Sequence, residues 1–436
     1  MYLGNDYEDK KEGRAIAYNG DGHMLTIGPT RSGKSRRLLI PNLLYETGRS
    51  MLVVDMKGEL AAITAAHRAA KGGKIVALDP FGVLPTRGVA IPSVGFNPMR
   101  RLNPELDDFV DDAMGLAEAL VQVNPGDSEP HWAESAQDFV AGLIMLVRCH
   151  YGEKATLGMV REEISRSPAE MDVIATQAVE RALHPAISNK LGKFRKGGES
   201  KEIPSIMSNA QTQTRFLDSP GIAKNLADDG LNFDVLKSRN VTVYLVLPPE
   251  RLVTHAKWLR LIISSAMTSM QRTLKTAGRP DVLFMLDEFP QLGRLESVET
   301  AVSLNAGYGV KVWAAVQHLG QLKTHYHDNW ETFLSAGCVT AFAPRDIFTR
   351  DHLTKMIGTG TKTIRSTSHS SEGGASVTTN VQKDDLVSPQ DWRQMILGEQ
   401  WAFIPTDKGQ VIKRIFGPDF TKLPEVVAGH IRPNAL

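Results

Sequence analysis

The chain has 436 residues, of which 42% are hydrophobic and 23% are charged. This balance is typical of a soluble globular protein, and the length suits about two to three domains. The formal net charge is only +1, which excludes an overall field that would attract nucleic acid or an acidic membrane. Any basic binding surface must therefore be local.

The sequence indicates neither a disulfide framework nor a membrane span. Cys149 and Cys338 lie far apart without metal-type spacing, which is typical of a reducing cytosol, and Cys338 lies in an apolar run typical of a core. No apolar run reaches membrane-spanning length, and residues 1–12 lack the pattern of a signal peptide. The chain as given is therefore predicted to be soluble and cytoplasmic.

The most informative stretch is Gly-Pro-Thr-Arg-Ser-Gly-Lys-Ser at residues 28–35, which fits the P-loop pattern Gly-x-x-x-x-Gly-Lys-Ser/Thr. Residues 24–27 before it have the pattern of a short buried strand, and a helical pattern begins near Gly33. Successive backbone N–H groups at such a strand-to-helix turn form a concavity that favours phosphate groups.

The P-loop pattern predicts ATP and Mg²⁺ as cofactors. Lys34 is predicted to reach the β- and γ-phosphates as a point charge, and the Ser35 hydroxyl to ligate Mg²⁺. A glycine-rich turn that matches by accident is the alternative, and the strand and helix on either side disfavour it. The residues predicted to bind the nucleotide are Gly28, Pro29, Thr30, Arg31, Ser32, Gly33, Lys34 and Ser35.

The next segments predict a parallel sheet covered by helices. Residues 50–55 and 74–79 are apolar runs of strand length that each end in an aspartate, and residues 60–68 between them have a helical pattern. Runs buried on both faces are typical of parallel strands. The predicted fold class is α/β, with a P-loop, βαβ units and a mainly parallel sheet.

A helical insertion is predicted to interrupt this sheet. Segments 107–121, 132–150 and 169–183 carry apolar residues at helical spacing, and strand patterns resume only after residue 230. The predicted domains are residues 1–98 for the first part of a nucleotide-binding domain, 99–230 for an inserted all-α domain, and 231–436 for the second part.

The helical region contains a dense group of basic residues, here called the basic cluster. Basic residues interleaved with an aromatic can grip a nucleic-acid backbone. The alternative is a solvated surface loop, which is the commoner role of a charge run. The members are Lys190, Lys193, Arg195, Lys196 and Lys201, with Phe194 among them.

A second chemically informative stretch is residues 281–290, where an apolar strand runs into Asp287 and Glu288. Two carboxylates at the end of a buried strand are unfavourable unless they bind a cation or act on water. This is the position of the Walker B site of P-loop enzymes, so Asp287 is predicted to hold Mg²⁺ and Glu288 to orient and deprotonate the attacking water. A solvated acid pair is the alternative.

Polar residues after later strands are candidates for contact with the γ-phosphate. Gln317 follows the predicted strand 310–316 and is predicted to be a sensor, with a helix-capping glutamine as the alternative. Arg294, Arg345 and Arg350 are candidates for an arginine finger that reaches a neighbouring subunit's nucleotide, an effect worth about 10³–10⁵ in rate. A surface salt bridge is the alternative for each.

The C-terminal part is predicted to close with a β-hairpin. Residues 365–376 are rich in serine and glycine, which indicates a mobile loop or a hairpin tip. Residues 401–404 and 410–416 have the pattern of two adjoining strands.

Further motifs accompany the P-loop in a fixed order. They are Ile-Pro-Asn-Leu-Leu at 40–44, Asp-Met-Lys-Gly-Glu at 55–59, Asp-Pro-Phe at 79–81, Phe-Asn-Pro at 96–98, Val-Tyr-Leu-Val-Leu-Pro at 243–248, Leu-Asp-Glu-Phe-Pro-Gln-Leu-Gly-Arg at 286–294, Gly-Tyr-Gly at 307–309, Val-Gln-His-Leu-Gly-Gln-Leu at 316–322 and Ala-Pro-Arg-Asp at 343–346. This ordered set resembles the type IV secretion coupling proteins, the TraG-like ATPases of conjugative DNA transfer, over nearly the whole chain.

The resemblance implies a RecA-like ATPase domain with an inserted all-α domain and assembly into homohexamers, a monomer being the alternative for the isolated chain. It implies delivery of single-stranded DNA with its relaxase, or of effector proteins, to a secretion channel at the cytoplasmic face of the inner membrane. Secretion-channel ATPases and inner-membrane components are then partners. Lys57 and Glu59 match a family motif whose chemistry the residues alone do not explain.

Members of the family usually begin with transmembrane helices, whereas the strand before this P-loop begins near residue 24. The expectation is that an anchor has been removed or is naturally absent.

Two functions of different classes remain open. The first is an ATP-driven motor, and the second is a recruitment platform whose helical domain selects cargo while nucleotide controls assembly. The intact set of Lys34, Ser35, Asp287 and Glu288 favours the motor, because a scaffold does not need the second acid. A septum-type DNA translocase fits less well, since no winged-helix domain follows the ATPase.

Overall fold

The computed structural model describes residues 1–8, 11–123, 129–195, 202–272, 274–275, 277–369 and 375–434. The chain forms two compact units. The first unit comprises Met1–Glu46, Leu286–Arg294 and Lys311–Pro433, and the second unit comprises Thr47–Met285, Leu295–Val310 and Asn434–Leu436. Lys196 and Lys201 of the basic cluster, and residues 370–374 of the Ser/Gly-rich segment, lie outside the described residues.

The strands of the described chain are β1 (Tyr2–Glu8), β2 (Lys11–Ala17), β3 (His23–Ile27), β4 (Met51–Val54), β5 (Lys74–Leu78), β6 (Val241–Leu245), β7 (Val282–Leu286), β8 (Val310–Val316), β9 (Gly337–Ala341), β10 (Thr359–His369), β11 (Ala375–Asp385), β12 (Glu399–Thr406) and β13 (Gly409–Phe416).

Its α-helices are α1 (Ile40–Tyr45), α2 (Glu59–Ala70), α3 (Val83–Thr86), α4 (Phe109–Leu120), α5 (His131–Tyr151), α6 (Leu157–Ile164), α7 (Pro168–Arg181), α8 (Pro185–Leu191), α9 (Ile203–Thr214), α10 (Pro220–Ala227), α11 (Val235–Ser238), α12 (Leu252–Gln271), α13 (Glu296–Leu304), α14 (Leu319–Tyr326), α15 (Thr332–Ser335), α16 (Ile347–Ile357), α17 (Pro389–Gln394) and α18 (Pro424–Val427).

The P-loop strand β3 lies between β9 and β8 in the sheet of the first unit. The strand order there is β2-β1-β13-β12-β9-β3-β8. β3 pairs in parallel with both neighbours, and Ile27 lies opposite Val316 of β8 and Ala341 of β9. Every residue of β3 is buried, as expected of a strand covered on both faces. Because the strands are parallel, the residues that follow β3, β8 and β9 emerge at one edge of the sheet.

The outer strands of the first unit are antiparallel. The predicted closing hairpin is confirmed as β12 and β13, and β12 continues the sheet by pairing with β9. β1 and β2 were not predicted, because β1 pairs with shifts of register near Gly4 and between Asn5 and Tyr7, and such bulges break the alternation by which strands are recognised.

A separate two-stranded ribbon is formed by β10 and β11. The two strands pair antiparallel from Thr359 opposite Asp385 to His369 opposite Ala375. The sequence predicted a mobile loop or hairpin tip over residues 365–376. The hairpin is confirmed, because residues 365–369 and 375–376 are the paired strand ends on either side of residues 370–374, which lie outside the described residues.

The second unit contains the parallel strands that follow the P-loop helix in sequence. Its strand order is β7-β4-β6-β5, and β6 pairs in parallel with β4 and with β5. Helix α2 connects β4 to β5 as predicted. The parallel strands of both units and their connecting helices confirm the predicted α/β class.

Two aspartates that end strands of the second unit cap backbone groups. The Asp55 carboxylate accepts a hydrogen bond from the Ala61 N–H at 2.8 Å. The Asp79 carboxylate accepts from the N–H groups of Val83 and Leu84 at 2.9 and 2.8 Å. Both acids thus satisfy the first amides of a following helix, and this role distinguishes them from Asp287.

The predicted helical region contains α4 to α10, and its helices begin at the caps that the sequence provides. Ser167 and Glu170 form a reciprocal capping box at the start of α7. Thr156 accepts a hydrogen bond from the Met159 N–H at the start of α6. The division of the chain at residues 99 and 230 into three domains stays a prediction.

The aromatic residue of the basic cluster faces the core. The Phe194 ring is fully buried and lies 4.4 Å from the Phe139 ring between centroids. Lys190 forms an ion pair with Asp138 at 2.5 Å. The other basic members of the cluster that the structure describes are Lys193 and Arg195. The buried Phe194 ring is therefore not available to a nucleic acid, and a grip on a nucleic-acid backbone by the basic residues of the cluster stays a prediction.

Two helix-interior glycines provide a test of this packing. A Cβ at Gly142 in α5 would lie 2.7 Å from the Leu191 Cδ2 atom and 3.2 Å from the Lys190 Cβ atom, whereas a Cβ at Gly115 in α4 would meet no atom within 4 Å. We expect Gly142→Ala to lower the free energy of unfolding by about 1–3 kcal/mol through overpacking, and Gly115→Ala to raise it by about 0.5–1 kcal/mol.

Urea denaturation followed by far-UV circular dichroism measures both changes. Equal effects of the two substitutions would contradict the close approach of α5 and α8.

Candidate functional site

The P-loop begins with a tight turn that only glycine permits. The Gly28 N–H donates to the Val316 carbonyl at 3.0 Å, which continues the β3 to β8 pairing into the loop. A Cβ at Gly28 would lie 2.8 Å from the Ser32 Oγ and 2.9 Å from the Phe342 Cβ. Gly33 and Arg31 have φ angles of 93° and 64°, so the loop passes through left-handed backbone twice within three residues.

The helix after the loop starts as a π-helical turn, Ser35–Leu39, before it becomes α1. π-turns are rare and occur mostly at functional sites. The Ile40 N–H donates to the Ser35 carbonyl, which is the spacing of a π-turn. The Arg37 N–H donates to the Gly33 carbonyl at 2.9 Å, which ties the turn to the glycine that precedes Lys34. The helix predicted to begin near Gly33 is confirmed, but its first turn, Ser35–Leu39, is π-helical rather than α-helical.

Lys34 lies inside the loop. Its side chain is 6% exposed and its Nζ atom donates to the Gly28 carbonyl at 2.6 Å. Burial lowers the pKa of the Lys34 ammonium, while the nearby charges of Glu288 and Asp287 oppose that shift. The predicted phosphate-binding lysine and the predicted acid pair therefore lie in one electrostatic environment.

Ser35 and Asp287, the two predicted Mg²⁺ ligands, are hydrogen-bonded. The Ser35 Oγ donates to the Asp287 Oδ2 at 3.3 Å, although 252 positions separate them in sequence. Burial raises the pKa of Asp287 to about 6, and the neighbouring Glu288 charge contributes to the rise. Unlike Asp55 and Asp79, Asp287 is a strand-end acid whose carboxylate faces the P-loop, which is unfavourable without a cation.

Glu288 and Gln317 also contact each other. The Gln317 Nε2 donates to the Glu288 Oε2 at 3.0 Å. Glu288 has left-handed backbone, with φ 53° and ψ 39°, a conformation that costs a non-glycine residue about 1–3 kcal/mol and clusters at functional sites. Its N–H donates to the Asp287 Oδ1 at 3.1 Å. The turn therefore directs the two acids differently, one toward Ser35 and the other toward Gln317.

Gln321 belongs to the site and was not predicted. Its Oε1 accepts a hydrogen bond from the Gln317 N–H at 2.8 Å, which fixes the backbone of Gln317 while its side chain reaches Glu288. The i to i+4 spacing of the two glutamines was the available signal. Because the Gln317 side chain binds Glu288, it does not cap α14.

The three candidate finger arginines differ in exposure. Arg345 is exposed and Arg294 is half-buried after Gly293, whose φ is 70°. Arg350 is 6% exposed within α16, and its Nε atom has no hydrogen-bond partner among the described residues. Burial disfavours Arg350 as a residue that reaches another subunit. The finger role of Arg294 and Arg345 stays a prediction.

The loop fits a phosphate group. Among the described residues, no acceptor takes a hydrogen bond from the N–H groups of Thr30, Arg31 or Gly33, and the buried Ser32 Oγ has no partner. Orphaned donors beside a buried lysine form an anion-binding concavity. Ser35 and Asp287 offer the oxygen ligands that Mg²⁺ prefers, and such sites usually complete the metal's coordination with water and substrate phosphates.

No cluster of three or more His, Cys, Asp or Glu side chains suited to a metal is present in the described ranges. A metal at Ser35 and Asp287 would accordingly depend on ligands from the phosphates. Over the same ranges, no helix has both the length and the hydropathy needed to cross a bilayer.

Curated relatives are similar to this chain in sequence. Protein VirD4 of Agrobacterium fabrum is 31% identical over 373 residues, which cover 80% of this chain and 51% of that protein. Conjugal transfer protein TraG of Escherichia coli is 28% identical over 383 residues, which cover 83% of this chain and 59% of that protein. The chain thus spans between 51% and 59% of the length of these relatives.

Solved structures share the fold. Plasmid coupling protein TrwB in complex with ADP and Mg²⁺ has a TM-score of 0.65 at 14% identity and covers 91% of this chain and 85% of its own. VirB4 of Thermoanaerobacter pseudethanolicus has a TM-score of 0.55 at 10% identity and covers 98% of each chain. At these identities the likeness concerns the fold alone, and it agrees with the predicted RecA-like P-loop class.

A family model described as type IV secretory system conjugative DNA transfer matches residues 4–416. That range contains the P-loop, the acid pair, Gln317 and both groups of strands. The chain therefore belongs to the type IV secretory system conjugative DNA transfer family.

Proposed function

We propose that this chain binds and hydrolyses ATP with Mg²⁺ and uses the reaction to deliver cargo to a type IV secretion channel. The observation that carries the proposal is the hydrogen bond between Ser35 and Asp287, because it joins the P-loop to the strand-end acid at the position where P-loop enzymes hold Mg²⁺. The relative TraG, named a conjugal transfer protein, and the plasmid coupling protein TrwB support the biological role, together with the family match.

Nucleotide binding follows from the P-loop groups. The free N–H groups of Thr30, Arg31 and Gly33 would donate to phosphate oxygens, and the Lys34 ammonium would leave the Gly28 carbonyl for the β- and γ-phosphates. Mg²⁺, held by Ser35 and Asp287, would neutralise charge that develops on the phosphates. TrwB structures with ADP and Mg²⁺ and with the ATP analogue ADPNP support this ligand class.

Hydrolysis requires that a water molecule be aligned with the γ-phosphate and lose a proton. Glu288 is the candidate base, since its carboxylate lies beside the site and its Oε2 already accepts one hydrogen bond from Gln317. That bond fixes the rotamer of Glu288 and leaves Oε1 to accept from water. Gln317, which follows β8, would sense the γ-phosphate. Its hydrogen bond to Gln321 would pass a change in its position on to α14.

The remaining parts of the proposal concern assembly and cargo. Homohexamers would bring Arg294 or Arg345 of one subunit to the nucleotide of the next, as arginine fingers do. Single-stranded DNA with its relaxase, or effector proteins, would be the cargo at the cytoplasmic face of the inner membrane, with channel ATPases and inner-membrane components as partners. The alternative is a recruitment platform in which nucleotide controls assembly rather than driving a motor. A wild-type chain that binds ATP but hydrolyses it slowly, and no faster with DNA, would favour this alternative.

Two substitutions separate binding from turnover. We expect Lys34→Ala to lose nucleotide binding, because the buried positive charge of the loop is removed. We expect Glu288→Gln to bind ATP normally and to hydrolyse it about 10²–10⁴ times more slowly, the loss expected for a general base. Titration with a fluorescent ATP analogue and a phosphate-release assay measure the two effects.

Exposed residues provide matched controls, namely Lys408→Ala in the turn between β12 and β13 and Glu250→Gln before α12. Wild-type turnover in Glu288→Gln would remove Glu288 from the catalytic role.

Asp287→Asn tests the proposed metal site through the melting temperature of the protein and the Mg²⁺ dependence of nucleotide binding. The substitution removes a buried negative charge that lies beside Glu288 but keeps an oxygen for the Ser35 hydroxyl. We therefore expect a higher melting temperature for the metal-free protein and loss of the Mg²⁺ dependence of nucleotide binding. Differential scanning calorimetry and nucleotide titration with and without Mg²⁺ measure the two properties. A lower melting temperature together with unchanged Mg²⁺ dependence would exclude Asp287 as the ligand.

A further inference from the structure

Two arginines that follow the P-loop directly, Arg36 and Arg37, bind a segment near the other end of the first unit. We call residues 416–422 the C-terminal strap. The strap begins at Phe416, the last residue matched by the family model, and continues beyond that match. Residues 417–422 of the strap therefore lie outside the range that the family model matches.

Arg36 is held by a carboxylate of the strap. Its Nε donates to the Asp419 Oδ2 at 2.8 Å and its Nη2 donates to the Oδ1 at 3.2 Å, and its guanidinium lies 4.8 Å from the Phe420 ring centroid. The Thr421 N–H and hydroxyl donate to the Asp419 Oδ1 at 3.1 and 2.8 Å. Partial burial would raise the pKa of Asp419, but these hydrogen bonds lower it to about 2.

Arg37 links the strap to the P-loop itself. Its Nη1 donates to the Gly417 carbonyl at 2.7 Å, and its guanidinium lies 5.6 Å from the Phe416 ring centroid. Its Cδ atom lies 2.8 Å from where a Cβ of Gly33 would be. A Cβ at Gly417 would lie 2.9 Å from the Arg37 carbonyl oxygen, and one at Gly398 would lie 2.7 Å from Nη1. The two glycines thus allow the close approach.

The strap is itself anchored in the first unit. The side chain of Phe420 in the strap is buried, as is that of Leu423 directly after it. The Tyr45 hydroxyl at the end of α1 donates to the Glu425 Oε2 of α18 at 2.6 Å. The chain that follows the strap is therefore bound to the helix that follows the P-loop. A displacement of the strap would act on both ends of the segment 33–45.

We propose that the C-terminal strap positions the P-loop for nucleotide binding, with Arg36, Arg37 and Asp419 as positioning residues. The inference rests on the proposed nucleotide binding. The π-helical turn Ser35–Leu39 contains both arginines, and Lys34 precedes it directly. By holding the two arginines, the strap fixes the turn and thereby the positions of Lys34 and Ser35 at its start. By linkage, nucleotide binding and ordering of the strap stabilise each other to the same extent.

The test uses the full chain with two substitutions and two matched controls. Asp419→Asn weakens the contact with Arg36, and Arg37→Met keeps the aliphatic packing on Gly33 but removes the bond to Gly417. The controls are Asp407→Asn and Arg393→Met, which change exposed side chains of the first unit away from the strap. With Mg²⁺ and a fluorescent ADP analogue, we expect each strap variant to bind about 5- to 150-fold more weakly, the usual range of a coupling effect, and the controls to bind as the wild type does.

Hydrogen exchange separates positioning from a general loss of structure. In the wild type, the ADP analogue with Mg²⁺ should slow exchange of the Thr421 amide, and in Lys34→Ala it should not.

A charge swap tests the contact between Arg36 and Asp419 itself. The double variant Arg36→Asp with Asp419→Arg should bind the ADP analogue more tightly than either single variant does.

Wild-type affinity in both Asp419→Asn and Arg37→Met would overturn the inference and leave the proposed function standing. A wild-type chain that binds no nucleotide would overturn the proposed function, and the inference with it.

Discussion

The parallel pairing of β3 with β8 and β9 is the constraint on which the site depends. It places Gly28 and Gln317 after residues that lie opposite each other, and the bond from the Gly28 N–H to the Val316 carbonyl continues the pairing into the loop. A parallel sheet gathers the carboxyl ends of its strands at one edge. The P-loop, the acid pair and the two glutamines can therefore converge although they are distant in sequence.

Within that edge, the electrostatics are unfavourable for the protein alone. A buried lysine has a lowered pKa, a buried aspartate has a pKa raised to about 6, and a second acid lies next to it in left-handed backbone. Each group would be stabilised by what the proposed ligand carries, phosphate for Lys34 and Mg²⁺ for Asp287. Asp55 and Asp79, the strand-end acids elsewhere, cap the first amides of a following helix. Asp287 instead accepts from the Glu288 N–H and from the Ser35 hydroxyl of the P-loop.

Local patterns predicted what depends on local residues. The P-loop motif singled out Lys34 and Ser35 as candidate site residues, and an apolar run before two acids singled out Asp287 and Glu288, because both signals lie within ten residues of sequence. The contacts of Arg36 with Asp419 join residues 383 positions apart, and no pattern in either segment indicates the other. The packing of Phe194 on Phe139 was not indicated by the basic residues around it either, since the face that an aromatic presents depends on the helix it packs against.

The most direct test of the account is the steady-state ATPase rate of the wild-type chain, measured against protein concentration with and without single-stranded DNA. If the site hydrolyses ATP and a neighbouring subunit supplies its arginine, specific activity should rise with concentration and rise further with DNA. A rate that is no higher than that of Lys34→Ala at every concentration, with or without DNA, would contradict the claim that this chain is an ATPase.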